Sequence, residues 1–167
     1  LTDQELTTSN NTAVQTDSVM MTVGNISLSP LVLDLDGDGV ELSNLGETET
    51  YFDLNGDGIL EGTGWVRPDD GLLAIDNNRD GIINDGTELF GDQGGEFANG
   101  FDSLARLDSN QDGQVNDQDA QFADLVVWRD LNADGVSQVD ELVTLSDLGI
   151  SGISLDAVEV WKVDGTN

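Results

Sequence analysis

The chain has 167 residues, 34 of them Asp or Glu against only five Lys or Arg, so its formal net charge is -29 at pH 7. A surface this acidic excludes a nucleic-acid or anionic-membrane face, because like charge repels it, and no apolar run approaches the roughly 18 residues of a membrane span. Cys and His are both absent, which excludes disulfides, thiolate or imidazole metal sites, and any nucleophile that needs a histidine base. Residues 1–27 are rich in Thr, Ser, Asn and Gln and lack the basic flank and apolar core of a signal peptide. Because the first residue is Leu1, the chain reads as a piece of a longer one, with 1–27 an N-terminal linker and first strand (Val19 to Ile26) and 28–167 the folded module. From Leu31 onward apolar runs such as Leu31-Val32-Leu33, Gly71-Leu72-Leu73-Ala74-Ile75 and Leu125-Val126-Val127-Trp128 alternate with Asp-rich turns. Helical spacing appears mainly in Phe101-Leu104-Ala105-Leu107, in Ala120 through Leu125 and in Glu141-Leu142-Leu145-Leu148, and the tail from Ile150 alternates as one or two strands through Ile153, Leu155, Val158, Val160 and Val163. The expectation is a single compact α+β domain of short strands and short helices, organised around several EF-hand-like calcium loops.

Those turns share one grammar, which is why high net charge does not spell disorder here. Asp108, Asn110 and Asp112 place oxygens at loop positions one, three and five. Gly113 turns the chain at six, Gln114 offers a carbonyl at seven, and Asp119 closes the loop at twelve. Asp130, Asn132, Asp134, Gly135, Val136 and Glu141 repeat the pattern. Asp76, Asn78, Asp80, Gly81 and Ile82 begin it again, but Thr87 stands at twelve and Glu88 follows. Either that loop carries an extra residue or its closing ligand comes from elsewhere. Two shorter versions are Asp34, Asp36 and Asp38 with Glu41, and Asp53, Asn55 and Asp57 with Glu61. Calcium takes six to eight oxygens in flexible geometry, whereas magnesium demands a strict octahedron, so several Ca2+ ions, up to about five, are expected. They would offset roughly ten of the excess negative charges.

The residues also carry a family resemblance. The run Pro30-Leu31-Val32-Leu33-Asp34-Leu35-Asp36-Gly37-Asp38-Gly39-Val40-Glu41 is followed by Gly64-Trp65-Val66 and Asp69-Asp70-Gly71-Leu72-Leu73. After these come Asp85-Gly86-Thr87-Glu88-Leu89-Phe90-Gly91-Asp92, Val127-Trp128-Arg129-Asp130 and Leu145-Ser146-Asp147-Leu148-Gly149-Ile150. Together they resemble the calcium-dependent self-processing module of bacterial RTX proteins, over about residues 30–155. The resemblance implies a secreted, modular protein at the bacterial cell surface, exported by a type I route and folded outside the cell by calcium. In that family an Asp-Pro bond at the start of the module is cleaved by its own Asp carboxylate. Here Pro30 follows Ser29 and Pro68 follows Arg67, so no Asp-Pro bond exists. The chain is therefore expected to be a non-cleaving relative, not an enzyme, similar to the calcium-dependent peptide-binding domain of large RTX adhesins. That version implies binding of a peptide, or of the C-terminus of a host or cell-surface protein, by a monomeric module.

Other readings stand beside it. Paired carboxylates can hydrolyse glycosides, but nearly every acid here is accounted for as a metal ligand. A structural spacer between adhesin repeats remains open. The loops at 108 and 130 are also similar to the pair in dockerins, which leaves the first hundred residues without a role. A ligand carboxylate needs local positive potential, which calcium and clustered backbone N–H groups can supply. The Gly-rich stretch 91–100 is the expected ligand site, with Gln93 and Asn99 as amide donors, Gly94 and Gly95 permitting close approach, and Phe97 or Trp65 as an apolar wall. Phe97 is the aromatic expected at the surface, whereas Trp65 and Trp128 also read as core.

Overall fold

The computed structural model describes residues 15–18, 21–23, 26–43 and 50–156. Strands β1 (Gln15–Ser18), β2 (Met21–Val23), β3 (Ile26–Leu28) and β4 (Leu31–Asp34) are followed by β5 (Thr50–Phe52), β6 (Glu61–Thr63) and β7 (Gly71–Ile75). A six-residue helix, α1 (Gly100–Ala105), precedes β8 (Gln114–Asn116), β9 (Leu125–Trp128), β10 (Leu142–Thr144) and β11 (Gly152–Ser154). A five-stranded sheet of order β1-β4-β7-β9-β10 is antiparallel throughout. Three two-stranded ribbons, β2-β3, β5-β6 and β8-β11, surround it.

The central strands are apolar throughout except for Asp34, the last residue of β4, because both faces of the sheet are covered. Leu31, Leu33, Leu73, Ile75, Leu125 and Val127 face a core shared with α1, β8 and β11, through Phe101, Leu104, Val115 and Ile153. Val32, Leu72, Ala74 and Trp128 face a second core with Leu28, Phe52, Leu54 and Trp65. The alternation within each strand thus assigns its residues to two different cores rather than to core and solvent.

This β-rich architecture corrects the α+β expectation. The helix expected over Phe101 to Leu107 is α1, which ends at Ala105 and which Asn99 caps by accepting the Asp102 N–H at 2.9 Å. Ala120 to Leu125 supplies only a 3-10 turn, Phe122–Asp124, and Leu142–Thr144 is strand β10 paired with β9. Two apolar contacts at helical spacing do not offset the cost of nucleating a helix, and Glu141 is committed to closing a loop before one could begin. Among the described residues no Asp-rich loop lies between two α-helices, so the EF-hand-like organisation is set aside. Three loops start directly at strand ends, after Leu33, Phe52 and Ile75; the loop at 130 starts two residues after β9 and the loop at 108 three residues after α1. The strand expected over Val19 to Ile26 lies partly on β2 and β3, and β11 realises the start of the tail. Residues 1–14, 19, 20, 24, 25, 44–49 and 157–167, including Val158, Val160 and Val163, lie outside the described residues.

Two glycines test different constraints. Gly113 has φ +84° but open space around its Cα, so Gly113→Ala meets only the left-handed penalty of about 1–2 kcal/mol. A Cβ at Gly86 would collide with the Leu54 carbonyl oxygen, and the Gly86 N–H donates to the Asp53 carbonyl at 2.8 Å. Gly86→Ala is therefore expected to lower the melting temperature by clearly more than Gly113→Ala, measured for both in calcium. Equal shifts would show that the close approach at Gly86 is not a constraint.

Candidate metal centre

Counted from the first Asp, the five loops share one backbone. The Oδ2 of the first Asp accepts the N–H of the position-six Gly in every loop: Gly39 to Asp34 at 3.0 Å, Gly58 to Asp53 at 2.7 Å, Gly81 to Asp76 at 2.8 Å, Gly113 to Asp108 at 2.9 Å and Gly135 to Asp130 at 2.8 Å. The side-chain oxygen at position three accepts the N–H of position five in Asp36, Asn55, Asn78, Asn110 and Asn132. The carboxylates of Asp57, Asp80, Asp112 and Asp134 accept the N–H of Ile59, Ile82, Gln114 and Val136 at position seven. Position four is left-handed in all five, at Gly37, Gly56, Arg79, Gln111 and Ala133. Each carboxylate thereby turns toward the middle of its loop with lone pairs to spare.

Each loop is closed by a buried acid that accepts the N–H of position two. Glu61 takes Leu54 at 3.0 Å, Glu88 takes Asn77 at 3.0 Å, Asp119 takes Ser109 at 2.8 Å and Glu141 takes Leu131 at 2.9 Å. Glu88, Asp119 and Glu141 also accept the N–H of position nine, from Asn84, Asn116 and Gln138. Glu88 therefore stands where Asp119 and Glu141 stand, and the loop at 76 carries one extra residue.

The loop at 34 is closed differently from the expectation. Glu41 points outward, its side chain 48% exposed and 3.9 Å from Arg67. Asp70, buried and 35 residues from its partner, accepts the Leu35 N–H at 3.4 Å and the Glu41 N–H at 2.8 Å. The cause is the sheet register: Leu33 pairs with Gly71 across β4 and β7, which sets Asp34 and Asp70 side by side. Oxygens of Asp34, Asp36 and Asp70 lie within 4.8 Å of one another, a group able to hold a metal ion. The only hint in the chain was the turn Pro68-Asp69-Asp70-Gly71 ahead of an apolar strand.

Electrostatics favour a cation. Burial, together with the charges of Asp34 and Asp69, pushes the Asp70 carboxyl up to about 6 despite its two N–H donors. Burial likewise raises Glu88 and Asp130. Asp38 is raised by its hydrogen bond to Asp36 and by that group's charge. Asp119 is instead lowered, because the Asn116 N–H and the Ser109 hydroxyl and N–H bind its carboxylate. Carboxylates stripped of water and crowded by like charge gain most from a divalent ion, and an all-oxygen donor set suits a hard one.

The proposed ligand stretch is placed less favourably. Gln93 Nε2 is already engaged with the Thr87 and Leu89 carbonyls at 3.2 and 3.3 Å, and Asn99 is the cap of α1. Gly94 and Gly95 are exposed, with φ 70° and 92°. Phe97 is half-buried, with the Arg106 guanidinium 5.7 Å from its ring centroid, and is not the exposed aromatic expected. Trp65 is fully buried against Phe52 and Trp128 and offers no wall to a ligand.

Residues 31–167 match the SPM domain family. The chain belongs to that family. It is also 50% identical over 139 residues to the Iron-regulated protein FrpA of Neisseria meningitidis serogroup C, which covers 80% of this chain and 12% of that protein. The RTX-related resemblance carried by the motifs agrees with both. Among the described residues of this SPM domain, no helix is long and apolar enough to cross a membrane.

Because Asp70 rather than Glu41 closes the loop at 34, Asp70→Asn is expected to weaken divalent-ion binding at that loop by on the order of tenfold or more, since affinity follows ligand charge. Glu41→Gln should leave it within about twofold. Calcium titration by calorimetry of the two variants checks this, and the reverse ranking would return Glu41 to the site.

Proposed function

We propose that this SPM domain is a calcium-organised module of a secreted RTX-type protein, and that it does not cut its own chain. The observation that carries the first half is the common frame of five loops, each with a buried closing acid on the position-two N–H. Asp34, Asp36, Asp38 and Asp70 would hold one ion. Asp53, Asn55, Asp57 and Glu61 would hold a second, and Asp76, Asn78, Asp80 and Glu88 a third. The remaining two would lie with Asp108, Asn110, Asp112 and Asp119, and with Asp130, Asn132, Asp134 and Glu141. Bound calcium supplies the positive charge that these acids lack, and binding to loops formed only in the folded chain is folding free energy. Millimolar calcium outside a bacterial cell suffices even for weak sites.

The second half rests on Ser29. Ser29 and Pro30 are both buried, and a serine hydroxyl has no carboxylate with which to attack its own carbonyl. A second reading, a binding surface for a partner polypeptide, is favoured by exposed apolar side chains on three loops. Ile59 and Leu60 belong to the loop at 53, Ile82 to that at 76, and Val136 and Val139 to that at 130. These loops adjoin one another: the Gly86 N–H donates to the Asp53 carbonyl, the Ile83 N–H to Ser137 Oγ at 2.7 Å, and Thr50 Oγ1 to the Ala133 carbonyl at 2.8 Å. An adhesin-type role would use such a face, with the exposed Gly94-Gly95 turn as the competing location.

In excess chelator the chain is expected to lose its native far-UV circular dichroism and its cooperative melt, and to regain both on adding calcium. A native spectrum in chelator would sink the calcium half. Prolonged incubation with calcium should leave an intact mass, whereas a new N-terminus at Pro30 would overturn the second half. For the binding reading, a peptide library with free and blocked C-termini is screened with calcium and with chelator. Loss of calcium-dependent capture in an Ile82→Ser, Val136→Ser variant supports the loop face, and loss only on bulky replacement of Gly94-Gly95 supports the turn.

A further inference from the structure

The loop at 130 differs from the other four in how its carboxylates are held. The first acids Asp34, Asp53, Asp76 and Asp108 receive only backbone N–H donors among the described hydrogen bonds. Asp130 receives an indole. Trp65 Nε1–H donates to Asp130 Oδ2 at 2.7 Å, beside the Gly135 N–H at 2.8 Å on the same oxygen. Among the described hydrogen bonds, Asp130 Oδ1 takes only the Asp134 N–H, at 3.2 Å. At the other end of the loop, Trp128 Nε1–H donates to Glu141 Oε2 at 3.3 Å. The two indoles pack edge to face at 5.4 Å, each against Phe52 at 5.2 and 5.5 Å, and both are fully buried.

A buried indole N–H requires some acceptor, and a backbone carbonyl would serve. Here both indoles end instead on the two acids that begin and close one loop. Two donors on a single Asp130 oxygen fix the plane of that carboxylate and leave the other oxygen for a cation. Trp65 is itself anchored: its N–H donates to Ser43 Oγ at 3.0 Å, and its carbonyl accepts the Ser43 N–H at 2.8 Å. An indole held at both ends of its residue can orient a carboxylate rather than follow it.

We propose that Trp65 and Trp128 are positioning residues of the loop at 130, holding Asp130 and Glu141 in the orientation that receives the cation and so setting the affinity of that loop selectively. The proposal rests on the reading that this loop binds calcium. Outer partners that orient metal-ligating carboxylates typically contribute 10–100-fold to affinity.

The test uses calcium calorimetry on the whole chain, with Trp65→Phe and Trp128→Phe, which keep an aromatic ring and remove the N–H, and Asp134→Ala to mark the site at 130. In each Phe variant one site is expected to weaken by about 10–100-fold. It should be the site that Asp134→Ala removes, with the other sites within about twofold and the circular dichroism at saturating calcium unchanged. The proposal is overturned by unchanged affinities in the folded variants, by uniform weakening of all sites, or by failure of both variants to fold in saturating calcium. It is overturned equally if the weakened site survives Asp134→Ala. If the unmodified chain binds no calcium at all, the reading beneath it fails instead and the proposal falls with it.

Discussion

Everything in this domain is arranged around carboxylates that accept backbone N–H groups. An Asp at the start of a turn offers two oxygens, and a chain that goes left-handed at positions four and six aims its amides back at them. That arrangement orders the turn with short-range hydrogen bonds, which is how so acidic a segment adopts one conformation at all. It also concentrates negative charge at points where little water remains. The same interaction that shapes each loop therefore creates its demand for a cation.

The sheet turns these local loops into a connected set. Because β4, β7 and β9 run antiparallel with Leu33 opposite Gly71 and Leu72 opposite Trp128, the end of β4, the start of β7 and the end of β9 meet at one edge. Asp34 directly follows Leu33, Asp70 directly precedes Gly71, and Asp130 lies two residues after Trp128. Arg129, one of the chain's few cations, stands among them and donates from Nη2 to the Pro68 carbonyl at 3.3 Å, beside the segment that delivers Asp70. Gly71 has no side chain where Val127 and the Arg129 stem cross it. Packing and electrostatics thus converge on the same few residues: the core holds the strand ends in register, and the register places the acids.

The backbone frames of the loops at 108 and 130 were legible from spacing, closing acids included, because the hydrogen bonds made within each loop span about ten residues or fewer. Glu88 was legible as one of two options, and its hydrogen bonds to Asn77 and Asn84 decide between them. The helix at Phe101 was legible from its spacing, whereas its Asn99 cap was read instead as a ligand donor. The expected helices near Ala120 and Glu141 were not realised, since a periodicity of two or three residues is compatible with a turn followed by a strand, and pairing with β9 favours the strand. Trp65 illustrates the same limit at the level of one residue. Its sequence neighbourhood is compatible with a core or a ligand wall, and only its burial with Phe52 and Trp128 settles the matter.

By itself, then, the sequence determined the chemistry: hard oxygen donors, no thiolate or imidazole, no Asp-Pro bond, and Asp-rich turns whose backbone is dictated within a dozen residues. The tertiary structure alone decided which acid closes the loop at 34 and that the Trp65 indole reaches the loop at 130. Those partners are separated by 35 and 65 positions, so no local spacing rule connects them. Strand register and aromatic packing do, because they act on distance in space, which the order of residues along the chain does not encode directly.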